Sequence, residues 1–164
     1  MHTLIEHHET FLRQLMRHEG TRKDKRGRHV AYRCQAGALT IGYGHNLDAN
    51  PIPGVGEGDV LYEDEARELL IADVERFGKD LDKKLPWWRE LNEPRQAVLL
   101  NMAFNMGVPG LMKFRRTLQA VREQRWDDAR TGMMASVWAR QVKKRRSSEL
   151  ATQMLTGRWQ YPKK

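Results

Sequence analysis

The apolar residues of this chain change period twice, and that switch limits the folds open to it. Leu4, His8, Phe11, Leu12, Leu15 and Met16 recur at helical spacing, and Gly20 supplies a stop. Leu39, Ile41 and Tyr43 then alternate with Thr40, Gly42 and Gly44, the pattern of a half-buried strand. Residues 30–34 offer that strand a partner across a turn at 35–38. From Glu63 the helical period returns, with Ala66, Leu69, Leu70, Asp73, Val74, Phe77 and Leu81 on one face until Pro86 ends it. Asn92 is placed to cap a further helix with Pro94 in its first turn. That helix, through Asn105, is apolar nearly all round, as a central buried helix must be. Gly107-Val108-Pro109-Gly110 breaks the chain, and helices follow near 117–125, 126–135, 137–142 and 147–155. The expected class is α+β, predominantly helical. A small β-containing lobe at about 20–62 is joined by a helix at about 63–85 to a helical lobe at about 86–164.

The 164 residues are 40% hydrophobic, enough for one domain with a real core. The longest apolar run is interrupted by Asn101 and falls far short of a membrane span, so no membrane insertion is expected. The N-terminus lacks a basic start and an apolar core, so no signal peptide is read there. The lone Cys34 excludes an internal disulfide, and His7-His8 and His18 form no His-Glu-x-x-His pattern. No metal and no cofactor are therefore expected.

Charge is unevenly placed. Residues 111–164 carry 14 basic and 4 acidic side chains, a net of +10, while the first 110 sum to −2. A second basic cluster, Arg22, Lys23, Lys25, Arg26, Arg28 and Arg33, is opposed only by Asp24. Such fields attract polyanions or simply solvate a surface. A nucleic-acid-binding helical protein is one reading of the C-terminal excess, but no zinc finger, helix-turn-helix signature or sheet aromatics accompany it.

Glu19 carries the most chemistry. It ends the apolar stripe of the first helix, at the negative end of the helix dipole. Burial and dipole would both raise its pKa, as a general acid requires. Cys34 and Thr40 lie six residues apart across the hairpin. A three-residue loop would set them directly opposite, and a two-residue loop would set Cys34 opposite Leu39. A hydroxyl and a thiol beside Gly42 and Gly44 could hold a water. A Cys34/His45 peptidase is the rival enzyme, though a strand offers no helix N-terminus to activate the thiol.

His18-Glu19-Gly20, Cys34 and Leu39-Thr40-Ile41-Gly42-Tyr43-Gly44-His45 together resemble the phage-type lysozymes, or endolysins. The similarity continues through Tyr62-Glu63-Asp64-Glu65-Ala66, the 96–107 segment, Arg125-Trp126-Asp127-Asp128-Ala129, the 137–142 segment and Thr156-Gly157-Arg158-Trp159. The resemblance implies one lysozyme-like domain over 1–164, with the helix at 3–18 packing between its lobes. It implies hydrolysis of the β-1,4 bond between N-acetylmuramic acid and N-acetylglucosamine in peptidoglycan, by inversion. Glu19 would be the proton donor, and Cys34 and Thr40 would place the attacking water. Asn46, Phe104, Asn105 and Thr117 match positions lining the sugar cleft. His45 and Asp73 match a bracing pair. An arginine of the last basic run belongs near the glutamate, with Arg146 keeping one spacing and Arg145 another.

Between Glu19 and Cys34 the chain has 14 residues where the family usually has about eight. The surplus is mostly the basic segment 22–29. We read it as a lengthened loop that, with the basic C-terminal region, could touch acidic envelope polymers. No nucleic-acid partner is expected, and the protein is expected to be a monomer. The resemblance also implies accumulation in the host cytoplasm until a holin releases the enzyme to the wall.

Overall fold

In the computed structural model, which describes residues 3–161, the stripe predicted from Leu4 to Met16 is two helices, not one. A 3₁₀ turn, Ile5–His7, is followed by α1, Glu9–Glu19, with His8 extended between them. The His8 ring causes the break, because its Nδ1 accepts from the Thr10 N–H at 3.2 Å and so caps α1. Leu4, placed on the buried face by spacing, is 52% exposed.

Five short strands follow: β1 His29–Val30, β2 Tyr32–Arg33, β3 Leu39–Ile41, β4 His45–Asn46 and β5 Val60–Leu61. The single partner strand expected at 30–34 is divided at Ala31. Before it, β1 pairs antiparallel with β5, and after it β2 pairs with β3, which pairs in turn with β4. Ala31 is buried and fastens the changeover, its N–H donating to the Asp59 carbonyl at 2.8 Å and its carbonyl accepting from the Gly58 N–H at 3.2 Å. The alternation from Leu39 to Gly44 also ends early. Gly42 and Gly44 have φ of +66° and +84°, so the chain turns through Tyr43 into β4. These glycines serve a turn and not an open strip, because a Cβ at Gly42 would already touch Ala66 at 3.5 Å.

The long helix α2, Glu63–Lys84, buries Ala66, Leu70, Asp73, Val74 and Leu81 and stops two residues before Pro86. A 3₁₀ turn, Trp88–Glu90, leads to α3, Glu93–Met106, whose N-cap Asn92 accepts from the Arg95 N–H at 3.2 Å. Residues 97–103 of α3 are all buried. The stretch from Val108 to Met112 forms α4, where the sequence suggested a break. Pro109 sits harmlessly in its first turn, and a Cβ at Gly110 would stand only 3.2 Å from the Met106 side chain. The remaining helices are α5 Arg115–Arg122, α6 Trp126–Met134, α7 Val137–Gln141 and α8 Lys144–Thr156. The class is α+β and mostly helical, as the periodicity indicates.

The chain divides into two compact units. One spans Leu12–Glu75 and the other joins the residues up to Phe11 with those from Arg76 onward. In the first, Ala31, Ile41 and Leu47 form a core covered by Leu39, Ile52, Val55, Leu61 and Leu69. In the second, α3 packs on α4 and α8, and α6 on α5 and α8. There Glu6 is buried and gripped by Arg89 through two bonds of 2.9 and 2.8 Å. No described helix is long and apolar enough to cross a membrane.

Candidate active site

In the unit spanning Leu12–Glu75, α1 ends on Glu19, and Gly20 leaves the helix with φ of +66°. The buried Leu12 and Leu15 fix the inner face of α1, so the predicted stripe does lead to this carboxylate. Glu19 itself is half-buried, less enclosed than the spacing suggests.

The hairpin takes neither of the two registers considered from sequence. Cys34 donates its N–H to the Ala38 carbonyl at 2.9 Å, and its own carbonyl accepts from the Gly37 N–H at 2.8 Å. The loop is Gln35-Ala36-Gly37, with Gly37 at φ +85°, so Cys34 faces Ala38 and Thr40 faces Tyr32. The left-handed residue decides the register, and glycine at 37 places it there. Cys34 and Thr40 are therefore diagonal neighbours on one face. The Ala36 and Ala38 amides and the Thr40 hydroxyl favour the charged form of the Cys34 thiol and together lower its pKa against the opposing effect of burial. Thr40 is buried, and its hydroxyl donates to the Ala38 carbonyl at 3.1 Å.

Asn46 pairs with Thr40 across the next ladder. Its Oδ1 accepts from the Asp48 and Ala49 amides at 2.9 and 3.0 Å, while the residue stays exposed. His45 is buried, with Nδ1 2.8 Å from Asp73 Oδ2 and Nε2 2.8 Å from the Asn50 carbonyl. Both ring nitrogens are thus engaged away from Cys34, which removes the base that a Cys34/His45 peptidase needs.

The other unit holds the remaining family-matched positions. Phe104 is half-buried and meets Phe77 edge to face, with ring centres 5.7 Å apart. Asn105 is exposed, and its Oδ1 accepts from Trp138 Nε1 at 2.8 Å. Thr117 lies in the first turn of α5 against Gly132 of α6, where an added Cβ would collide with Thr117 Oγ1. Both line a cavity of about 830 Å³ with Met106, Phe114 and Trp138. Arg146 is buried, bonding Asn101 Oδ1 through Nε at 3.2 Å and Nη2 at 2.8 Å, whereas Arg145 is exposed.

The Trp138–Asn105 bond and the close approach of Gly132 to Thr117 carry no signal in the sequence. Sequence reasoning also missed a cluster around Glu63, which it read only as a residue suited to the start of α2. Glu63 accepts from Tyr43 Oη and from His29 Nε2, the latter at 2.7 Å, with Lys23 Nζ at 3.6 Å. Burial works against the Glu63 carboxylate, yet these donors hold its pKa low, while burial and Glu63 raise that of Tyr43. Among the described residues, no three His, Cys, Asp or Glu side chains are grouped to hold a metal ion.

The phage lysozyme family profile matches residues 17–158. The chain is 32% identical over 158 residues to the pre-baseplate central spike protein Gp5 of Enterobacteria phage T4, which covers 85% of this chain but only 27% of the spike protein. It is also similar to two T4-type lysozymes of Dictyostelium discoideum. One is 28% identical, covering 70% of this chain and 79% of that lysozyme, and the other is 30% identical, covering 64% and 60%. With the matched profile spanning most of its length, the chain belongs to the phage lysozyme family.

Proposed function

We propose that this protein is a lysozyme-type peptidoglycan hydrolase that cuts the N-acetylmuramic acid–N-acetylglucosamine β-1,4 bond with inversion. The observation that carries the reading is local. Glu19 at the end of an apolar helix shares a unit with a thiol and a hydroxyl set on one face of the hairpin, Cys34 and Thr40. Glu19 gives its proton to the leaving glycosidic oxygen as the C1–O bond breaks. A water oriented by Thr40 and the Cys34 sulfur attacks C1 from the opposite side of the ring and releases its proton to solvent. His45 and Asp73 brace the unit. Asn46, whose amide NH₂ is left to solvent, and Phe104, Asn105, Thr117 and Arg146 contact the glycan.

The test is lysis of outer-membrane-permeabilised Gram-negative cells by wild type and Glu19→Gln. We expect a loss of at least about 100-fold for the variant. The wild type should release reducing sugar ends and no new amino groups, and NMR of fresh product should show the inverted anomer. Full activity in Glu19→Gln would overturn the reading.

On this reading the enzyme is a monomer held in the host cytoplasm until a holin opens the way to the wall. Similarity to a phage spike protein favours a second setting for the same chemistry, in which the enzyme is carried on the virion. Mass spectrometry of purified particles against the cleared lysate separates the two.

A further inference from the structure

The basic segment after Glu19 is an ordered hairpin. Lys23 bridges His29, the Val30 N–H donates to the Arg22 carbonyl at 2.9 Å, and the Asp24 N–H donates to the Arg28 carbonyl at 2.9 Å. Gly27, at φ +77°, closes the turn by donating to the Asp24 carbonyl at 3.0 Å. The only acid in the segment is used to build it. Asp24 Oδ1 accepts from the Arg26 and Arg28 amides, each at 2.9 Å, and Oδ2 accepts from Arg28 Nε at 2.8 Å. At the base, buried His29 is fixed to Glu63 by Nε2, and its Nδ1 is left with no hydrogen-bond partner. A buried unsatisfied nitrogen is costly, so the anchor is held at the expense of stability.

This framework sorts the six cations. Arg28 is tied to Asp24, Lys23 to Glu63, and Arg33 to Glu57 and Asp48 at 3.6 and 3.9 Å. Arg22 lies over the Tyr32 ring, 4.6 Å from its centre. Lys25 and Arg26 remain. They occupy the turn, both are exposed, and among the described residues neither has an acidic partner. The hairpin begins three residues after Glu19, so Arg22 is within about 11 Å of it along the chain. Whatever strand Glu19 cuts brings its own charged groups to this neighbourhood, whereas a separate polymer would have to be recruited there. Peptidoglycan bears peptides on its muramic acids, and those peptides end in ionised carboxylates.

We propose that the Lys25–Arg26 turn is a preorganised contact for the peptide carboxylates of the strand being cut. The bonded turn sets the backbone positions of both residues before binding and so removes the ordering cost that a loose loop would carry. The inference rests on the peptidoglycan reading above but is tested apart from turnover. Glu19→Gln protein, with and without Lys25→Glu and Arg26→Glu, is cosedimented with purified sacculi, either intact or with their peptide carboxylates blocked as neutral amides by carbodiimide coupling to glycinamide.

Charge reversal should weaken binding to intact sacculi roughly tenfold at low salt. The difference should vanish near 1 M salt, where the Debye length is about 3 Å. Sacculi with blocked carboxylates should bind both proteins equally. Equal binding to intact sacculi overturns the proposal. So does a difference that survives blocking of the carboxylates, which would assign the turn to a phosphate-bearing wall polymer. Asp24→Ala separates presentation from charge, since it unties the turn while making it more positive. Weaker binding supports the proposal, and tighter binding overturns it.

Discussion

Thr40 of β3 and Cys34, just past the end of β2, are diagonal neighbours across the hairpin, with the hydroxyl of one favouring the charged form of the other's sulfur. With the Ala36 and Ala38 amides also aimed at the sulfur, the charged form is favoured in the folded chain.

The thiol should therefore titrate below its ordinary value of about 8.5. Alkylation by iodoacetamide, followed against pH, should show an apparent pKa under that of the unfolded protein, and Thr40→Val should move it back up. The sign for folding follows. A depressed folded pKa adds stability that is fully present above the unfolded pKa and is lost as pH falls through the folded one. An unshifted alkylation profile would show that the three donors do not act on the sulfur.

On the proposed mechanism, Cys34→Ser would keep a small polar group beside the attacking water, whereas Glu19→Gln would remove the only proton assigned to the leaving oxygen. Turbidity assays should rank the losses, with Glu19→Gln the more severe. Equal losses would mean that the sulfur does more than orient solvent.

How much of this was legible varies with the range of the interactions. The long helices α2 and α3 were readable because many residues repeat one signal, and Asn92 announced its cap. The division at Ala31 was not, because β1 and β5 are two-residue strands paired across some thirty positions, which no local pattern encodes. The register at Cys34 hung on a single left-handed glycine. Even so, the shared face of Cys34 and Thr40 was foreseeable, while the Asn105–Trp138 bond and the Glu63 cluster join positions that spacing leaves unrelated.

Asp73→Asn should be the most damaging single change to stability in the β-containing unit. It strips a buried histidine of its carboxylate, and breaking such a pair on one side costs about 3–5 kcal/mol. Urea midpoints of wild type and variant measure this, and a shift worth under about 1 kcal/mol would show that the pair contributes little.

Gly132→Ala poses two opposed effects. Alanine inside α6 gains about 1 kcal/mol of helix propensity. The collision with Thr117 Oγ1 should cost about 1–3 kcal/mol and prevail. In a Thr117→Ala background the sign should reverse, and thermal melts of the four proteins give the cycle.

The hairpin after Glu19 closes on itself before the chain enters β1. Length at its apex is thus decoupled from the thiol downstream, and the outgrowth is a natural grafting port. Segments of other size and charge, spliced between Asp24 and Gly27, could retarget the enzyme while its reactive groups stay in register.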